Sequence, residues 1–146
     1  MNLERSITIG SKISMCSISP SQDFTAVFED DGESANFYAL NALRKDRQIL
    51  DVVNIYTVEH VSDIKSPCNV HIRWSDDALK VLLLIDGYPH AVFDFQHKRG
   101  YCRTNYPNVP RDGNPSWKSE DHKWQDSRFS GSANVMPRRA NWELGN

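Results

Sequence analysis

The longest strongly apolar run in this chain is Val81 to Ile85, far short of the ~20 residues a membrane-spanning helix needs. The amino terminus, Met1-Asn2-Leu3-Glu4-Arg5-Ser6, carries an acid and no apolar stretch, so it does not read as a secretory signal. Cysteine is scarce: Cys16, Cys68 and Cys102 are odd in number, widely spaced and without a C-x-x-C pair. That pattern argues against a disulfide framework and a zinc knuckle, and it points to a reducing cytosol. The seven glycines stand singly, so there is no glycine-rich loop to cradle a phosphate. Charge of one sign is also lacking. A formal net charge of −2 gives no overall field to draw nucleic acid or an anionic membrane.

The chain does hold the ordinary material of one globular domain, with 39% hydrophobic and 25% charged residues over 146 positions. Its first hundred residues read as strands. Ile13 to Ile18 alternates passably, and Pro20 stops it. Phe24 to Phe28 and Phe37 to Leu40 flank Asp30-Asp31-Gly32-Glu33, a turn in which glycine accepts positive φ. Ile49 to Val58 is a long β-rich stretch. Asn69 to Trp74 places Val70, Ile72 and Trp74 on one face, with His71 and Arg73 on the other. Leu79 to Ile85 is nearly all apolar, as a strand covered on both sides must be. Asp86-Gly87 is the strongest hairpin signal, and Tyr88 to Phe95 returns from it.

The two hairpins resemble each other at a constant offset of 55 residues, from Asp31-Gly32 to Asp86-Gly87. Each is preceded by a serine and acids, Ser19 to Asp23 in one and Ser75-Asp76-Asp77 in the other. This is the grammar of a propeller blade, but a closed propeller needs at least about four blades of roughly 40 residues, more than this chain supplies.

The character changes after Cys102. The remaining residues hold four of the seven prolines and three of the four tryptophans, with few aliphatic side chains. Their net charge is +2, against −4 for residues 1–100. A short helix over Ser116 to Trp124 is the one regular element this stretch suggests. The expected fold is therefore mainly β: an antiparallel meander of hairpins, as a single sheet or small sandwich, with little helix. Residues 1–107 form the β domain, and residues 108–146 form an irregular Trp/Pro-rich extension packed on it or partly mobile.

Candidate chemistry is thin. His90 and Asp94 share a strand face, with His97, Arg99, Tyr101 and Cys102 close behind, a set compatible with a thiol nucleophile or a small-ligand pocket. Residues four apart on a strand are about 13 Å apart, however, too far for direct hydrogen bonding. No strained elbow or helix N-terminus is present to lower the thiol pKa. A polar sheet edge accounts for the same residues. His60, Asp63, His71, His90, His97 and His122 show no metal-ligand spacing. No catalytic residue, metal or cofactor is expected. The acidic turn Glu29, Asp30, Asp31 and Glu33 reads either as a solubilising tip, with no benefit to folding, or as a docking surface for a basic partner. Trp117 and Trp124, seven residues apart, are candidate anchors for a partner or for the tail itself. Arg138-Arg139 is too short a run to bind nucleic acid.

The blocks ILDVVNIYTVEHV, VHIRWSDDALKVLLLIDGYPHAVFDF and KRGYCRTNYP resemble a family of small bacterial proteins known only as domain of unknown function 2251. Tyr88–Phe95 and Arg99–Pro107 carry most of the likeness, and FEDDGESANFYAL at Phe28–Leu40 is similar to the family's first hairpin. The likeness spans roughly residues 20 to 107 and leaves the tail outside it. It brings no established activity and therefore no catalytic residue. It implies a small stand-alone protein of the kind that serves as an immunity partner to a secreted antibacterial toxin. The leading expectation is a cytoplasmic, non-enzymatic protein that binds and occludes such a toxin. The rival classes are a small-ligand binder or enzyme at His90, Asp94, Arg99, Tyr101 and Cys102, and a structural module that forms a homodimer through an exposed strand edge.

Overall fold

The computed structural model describes residues 2–42, 49–62, 67–106 and 122–124. Nine strands lie in these residues: β1 (Leu3–Ile7), β2 (Ile13–Ile18), β3 (Phe24–Asp30), β4 (Ser34–Asn41), β5 (Ile49–Thr57), β6 (Cys68–Trp74), β7 (Lys80–Ile85), β8 (Tyr88–Asp94) and β9 (Arg99–Cys102). One 3₁₀ turn, Val58–His60, follows β5. The strands form a four-stranded sheet, β2-β3-β4-β5, and a five-stranded sheet, β1-β6-β7-β8-β9. Every neighbouring pair is antiparallel. The protein is mainly β, and of the two arrangements expected from the sequence it adopts the sandwich.

The hairpins form where the turn chemistry places them. Asp86 and Gly87 both take positive φ, 52° and 79°, the geometry whose twist matches two flanking antiparallel strands. Strand β7 is covered on both faces: Val81, Leu83 and Ile85 join the core between the sheets, while Leu82 and Leu84 are buried on the outer side. Strands β1 and β9 have no strand signal in the sequence. Strand β1 forms because β6 offers its outer edge, pairing Leu3 with Ile72 and Ile7 with Cys68.

Aromatic rings join the two sheets. Phe24 stacks on Phe95 at 4.0 Å and Phe37 on Phe93 at 5.0 Å, while the Trp74 indole N–H donates to Ser17 Oγ at 2.9 Å. These contacts bury β-branched and aromatic side chains from both layers in one core.

The likeness between the two hairpins extends to two whole meanders of four consecutive strands. Their first turns are built alike. Ser19 N–H donates to Phe24 O (2.8 Å), Gln22 N–H to Ser19 O (2.8 Å) and Phe24 N–H to Ser19 Oγ (3.1 Å). In the second meander Ser75 N–H donates to Lys80 O (2.9 Å), Ala78 N–H to Ser75 O (2.9 Å) and Lys80 N–H to Ser75 Oγ (3.0 Å). Gln22 and Ala78 each take positive φ, at 67° and 62°. Counted from these serines, Ala26 and Phe28 correspond to Leu82 and Leu84, one residue out of step with the alignment of the hairpin tips. Ala26 and Phe28 face the shared core, whereas Leu82 and Leu84 face outward. Because side chains alternate with period two, that single step puts residues matched from the serines on opposite faces, whereas Phe28 and Leu83, matched from the hairpin tips, both face the core. The five-stranded sheet has a second apolar face, formed by Leu82, Leu84, Val92 and Tyr101.

Candidate functional site

The acidic turn is not four equivalent carboxylates. Asp30, on the inward face of β3, is 1% exposed. It accepts hydrogen bonds from Gly10 N–H (2.6 Å), Gly32 N–H (2.8 Å) and the Tyr56 hydroxyl (2.6 Å). Burial and the adjacent Asp30 carboxylate hold the Tyr56 phenol above its usual range, so it remains a donor. Asp31 Oδ1 accepts from Glu33 N–H (2.9 Å) and Ser34 N–H (3.0 Å), bonds that lower its pKa, with Ser34 contributing most. The expectation that this cluster contributes nothing to folding is therefore corrected. Asp30 ties the tip to the β1–β2 loop and to β5, and Asp31 caps the turn. Burial also removes Asp30 from any docking surface. Glu29, Asp31 and Glu33 are exposed.

The sheet separates Cys102 from Tyr101 in the second candidate set. His90 and Asp94 are each 1% exposed on an interior strand, not on a polar edge. Asp94 faces the next turn, accepting from His97 N–H at 3.0 Å and lying 2.8 Å from His97 Nδ1. Burial first, and the positive Arg103 second, push the His90 pKa down to about 3. Tyr101 joins the outer cluster with Leu82, Leu84 and Val92, while Cys102 joins the core between the sheets. Successive residues on a strand face opposite ways, so these two side chains cannot line one pocket.

Cys102 is buried, with Sγ 3.4 Å from Thr104 Oγ1 and donating to Tyr106 O at 3.6 Å. Burial raises its pKa above the ordinary thiol value, and burial raises that of Cys68 to about 12. Cys16 is exposed. Iodoacetamide at neutral pH is therefore expected to label Cys16 at least about tenfold faster than either buried thiol, since only accessible thiolate reacts. Mass spectrometry of the labelled peptides checks this, and preferential labelling of Cys102 would revive a nucleophilic role.

The structure assembles a group that sequence reasoning missed. His122 and Asp51, 71 residues apart in the chain, meet with His122 Nε2 2.9 Å and 3.1 Å from the two carboxylate oxygens. Both are buried, at 2% and 7% exposure. Val52 N–H also donates to Asp51 Oδ1, at 2.8 Å. No local spacing signals such a pair. On the outer face the Arg103 guanidinium lies 3.8 Å from the Trp124 ring centroid and 4.7 Å from that of Tyr88, and its Nε donates to Pro89 O at 3.0 Å. Trp124 therefore packs on its own sheet, and Trp117 lies outside the described residues. Lys123 makes a β-bridge to Cys102, so the helix expected over Ser116 to Trp124 does not reach its far end. Among the described residues, no three His, Cys, Asp or Glu side chains gather to hold a metal ion. No helix among them is long and apolar enough to cross a membrane.

A family profile described as "Uncharacterized protein conserved in bacteria (DUF2251)" matches residues 7–131. The fold and this match define the class: the chain is a two-sheet, mainly-β member of that bacterial family. The match runs past Pro107 into the tail, further than the sequence blocks had suggested. An uncharacterised protein of Haemophilus influenzae is 41% identical over 86 residues, covering 59% of this chain and 53% of the relative. The chain thus spans about half the length of that relative. No solved structure matches the chain significantly.

Proposed function

We propose that this protein is a cytoplasmic immunity-type binding protein, which neutralises a cognate antibacterial toxin by occluding it. The observation that carries the reading is the rigid acidic tip. Glu29, Asp31 and Glu33 project to solvent from a hairpin whose base is pinned through buried Asp30 to Gly10, Gly32 and Tyr56. A preorganised tip of one charge sign raises the rate of encounter with a basic surface, and rigidity lowers the ordering cost of binding. Cys102 faces the core between the sheets, away from Tyr101, and burial raises its pKa, which supports binding over thiol catalysis.

The test separates the exposed acids from the buried one. In a Glu29→Gln/Asp31→Asn/Glu33→Gln variant the new amide at position 31 keeps an acceptor for Glu33 and Ser34 N–H, so the urea midpoint should stay close to the parent's. If a toxin-like protein is encoded beside this gene, its association with the triple variant should be slower at low salt than with the parent, and the salt dependence should flatten. Asp30→Asn, by contrast, should cost about 1–3 kcal/mol, because one of its bound donors loses its acceptor. Equal association rates for parent and triple variant in stopped flow at low ionic strength would remove the tip from the interface.

A further inference from the structure

We infer that two copies of this chain associate through the outer face of the four-stranded sheet, stacked face to face about a two-fold axis parallel to the strands. The inference does not rest on the toxin reading. It starts from strand register. Ile18 pairs with Thr25, Thr25 with Leu40 and Leu40 with Ile49, so these four residues form one row across the sheet. Cys16, Val27, Tyr38 and Val52 form the next row, and Ser14, Glu29, Asn36 and Asn54 form the third. Their neighbours along the strands, Met15, Ala26, Phe28, Phe37, Ala39 and Val53, fill the core between the sheets, so the three rows face outward.

Two properties single out this face. First, it carries apolar surface in contact with water. Ile18 and Ile49, at the two edges of one row, are 48% and 50% exposed. Cys16 is exposed as well, and Val27, Tyr38 and Leu40 are half-buried. The outer cluster of the five-stranded sheet, by contrast, is almost fully buried, with Trp124 of the same chain packed on it. Second, the face is depleted in charge. Of its twelve side chains only Glu29 is charged at neutral pH, although 25% of the chain's residues are charged. Loss of charge around an aromatic and aliphatic centre distinguishes interface cores from ordinary surface.

The same properties select the occupant. A basic partner would find a single carboxylate here, in the end row, whereas a second copy matches the face row for row. Rotation about an axis midway between β3 and β4 lays each row over itself in reversed order. Ile18 then meets Ile49 of the second copy, and Val27 meets Tyr38. Glu29 lies opposite Asn36, an amide able to donate to its carboxylate, and no charge faces a like charge. Packed sheets cross at about 30°, which leaves the central pair in place and displaces the edge strands by about one residue. Twelve side chains on each copy are about half the complement of a standard interface, so the dimer is weak and depends on concentration.

Sedimentation equilibrium of the full chain, from about 10 μM to about 1 mM, tests the assignment in the range where so small an interface acts. The mean mass should rise from 16.7 kDa toward twice that value. Ile18→Lys and Ile49→Glu, both at exposed positions, should each stay near the monomer mass with unchanged circular dichroism. An equimolar mixture of the two should dimerise, and so should the double variant, because each arrangement brings the introduced ammonium over the introduced carboxylate. A parent mass that stays at the monomer value throughout overturns the proposal, as does recovery in neither the mixture nor the double variant. Oxidation with copper phenanthroline tests the geometry separately. Stacking sets the two Cys16 residues over opposite edges, three strand spacings or roughly 14 Å apart, beyond the reach of a disulfide. Rapid Cys16–Cys16 cross-linking would show edge-to-edge pairing of β2 instead and overturn the face-to-face arrangement.

Discussion

Gly100→Ala is expected to destabilise the protein by about 3–5 kcal/mol, from overpacking a full core and disturbing the buried hydrogen bonds of Asp51. A Cβ at this position would meet the Asp51 carboxylate on one side and two Phe93 ring carbons at 2.9 Å on the other. Neither neighbour can yield cheaply. Phe93 is 0% exposed and stacks on Phe37, and moving the Asp51 carboxylate separates it from His122 and from Val52 N–H. Urea unfolding of the single variants and of Gly100→Ala/Asp51→Ala checks the cause. Because the two changes share one space, the double variant should be more stable than the sum of the single losses allows. Strict additivity would show that Gly100 is needed for some other reason.

The second large effect is a loss of stability in mild acid that originates at His90. Its imidazole titrates near 6.5 in an unfolded chain. In the folded protein, burial first and Arg103 second push it down to about 3. The fold therefore favours the neutral ring, and the unfolded chain binds the extra proton. Stability is fully present above about pH 6.5 and falls as pH drops toward 3, by ~1.4 kcal/mol per unit. Between pH 7 and pH 4.5 the loss from this residue should reach about 2–3 kcal/mol. Asp31 and Asp77 have lowered pKa values, held down mainly by backbone Ser34 and by the Ser75 hydroxyl. Their contributions are present above the usual carboxylate range and are lost only as pH falls below it, so they do not confuse this window. His90→Gln should be less stable at pH 7 yet lose markedly less between pH 7 and pH 4.5. An unchanged slope in that variant would exclude His90 as the source.

Much of the scaffold is legible along the chain, because hairpin formation is a local matter. Alternation in Asn69–Trp74 correctly assigns Val70, Ile72 and Trp74 to the buried face, since a pleated strand sends successive side chains to opposite sides. Asp86-Gly87 marks its own turn because glycine, and aspartate at some cost, accept positive φ. The continuous apolar run of β7 announces burial on both faces. Membership of the bacterial family is legible in the same blocks. What these local signals cannot assign is a partner for a weakly patterned segment. Leu3–Ile7 becomes a strand only because β6 has an open edge, and Arg99–Cys102 only because β8 has one.

The acidic turn shows the same division within a single motif. Its sequence identifies a charged hairpin tip, which the fold retains. Only the packing of β1–β2 and β5 around it separates buried Asp30 from exposed Glu29, Asp31 and Glu33, because Gly10 and Tyr56 reach Asp30 from distant parts of the chain. His122 and Asp51 are a stronger case. Each is an ordinary polar residue in its own neighbourhood, and their pairing depends on two sheets meeting beside a glycine that leaves room for the carboxylate. The sequence by itself determined strands β2 to β8, their hairpin turns and the family, since those follow from alternation and backbone preference over a few residues. The tertiary structure alone decided where β1 and β9 pair, which carboxylate is internal and where residues 122–124 attach. Those outcomes are set by contacts between residues far apart in the chain, and a one-residue step in a period-two strand is enough to reverse them.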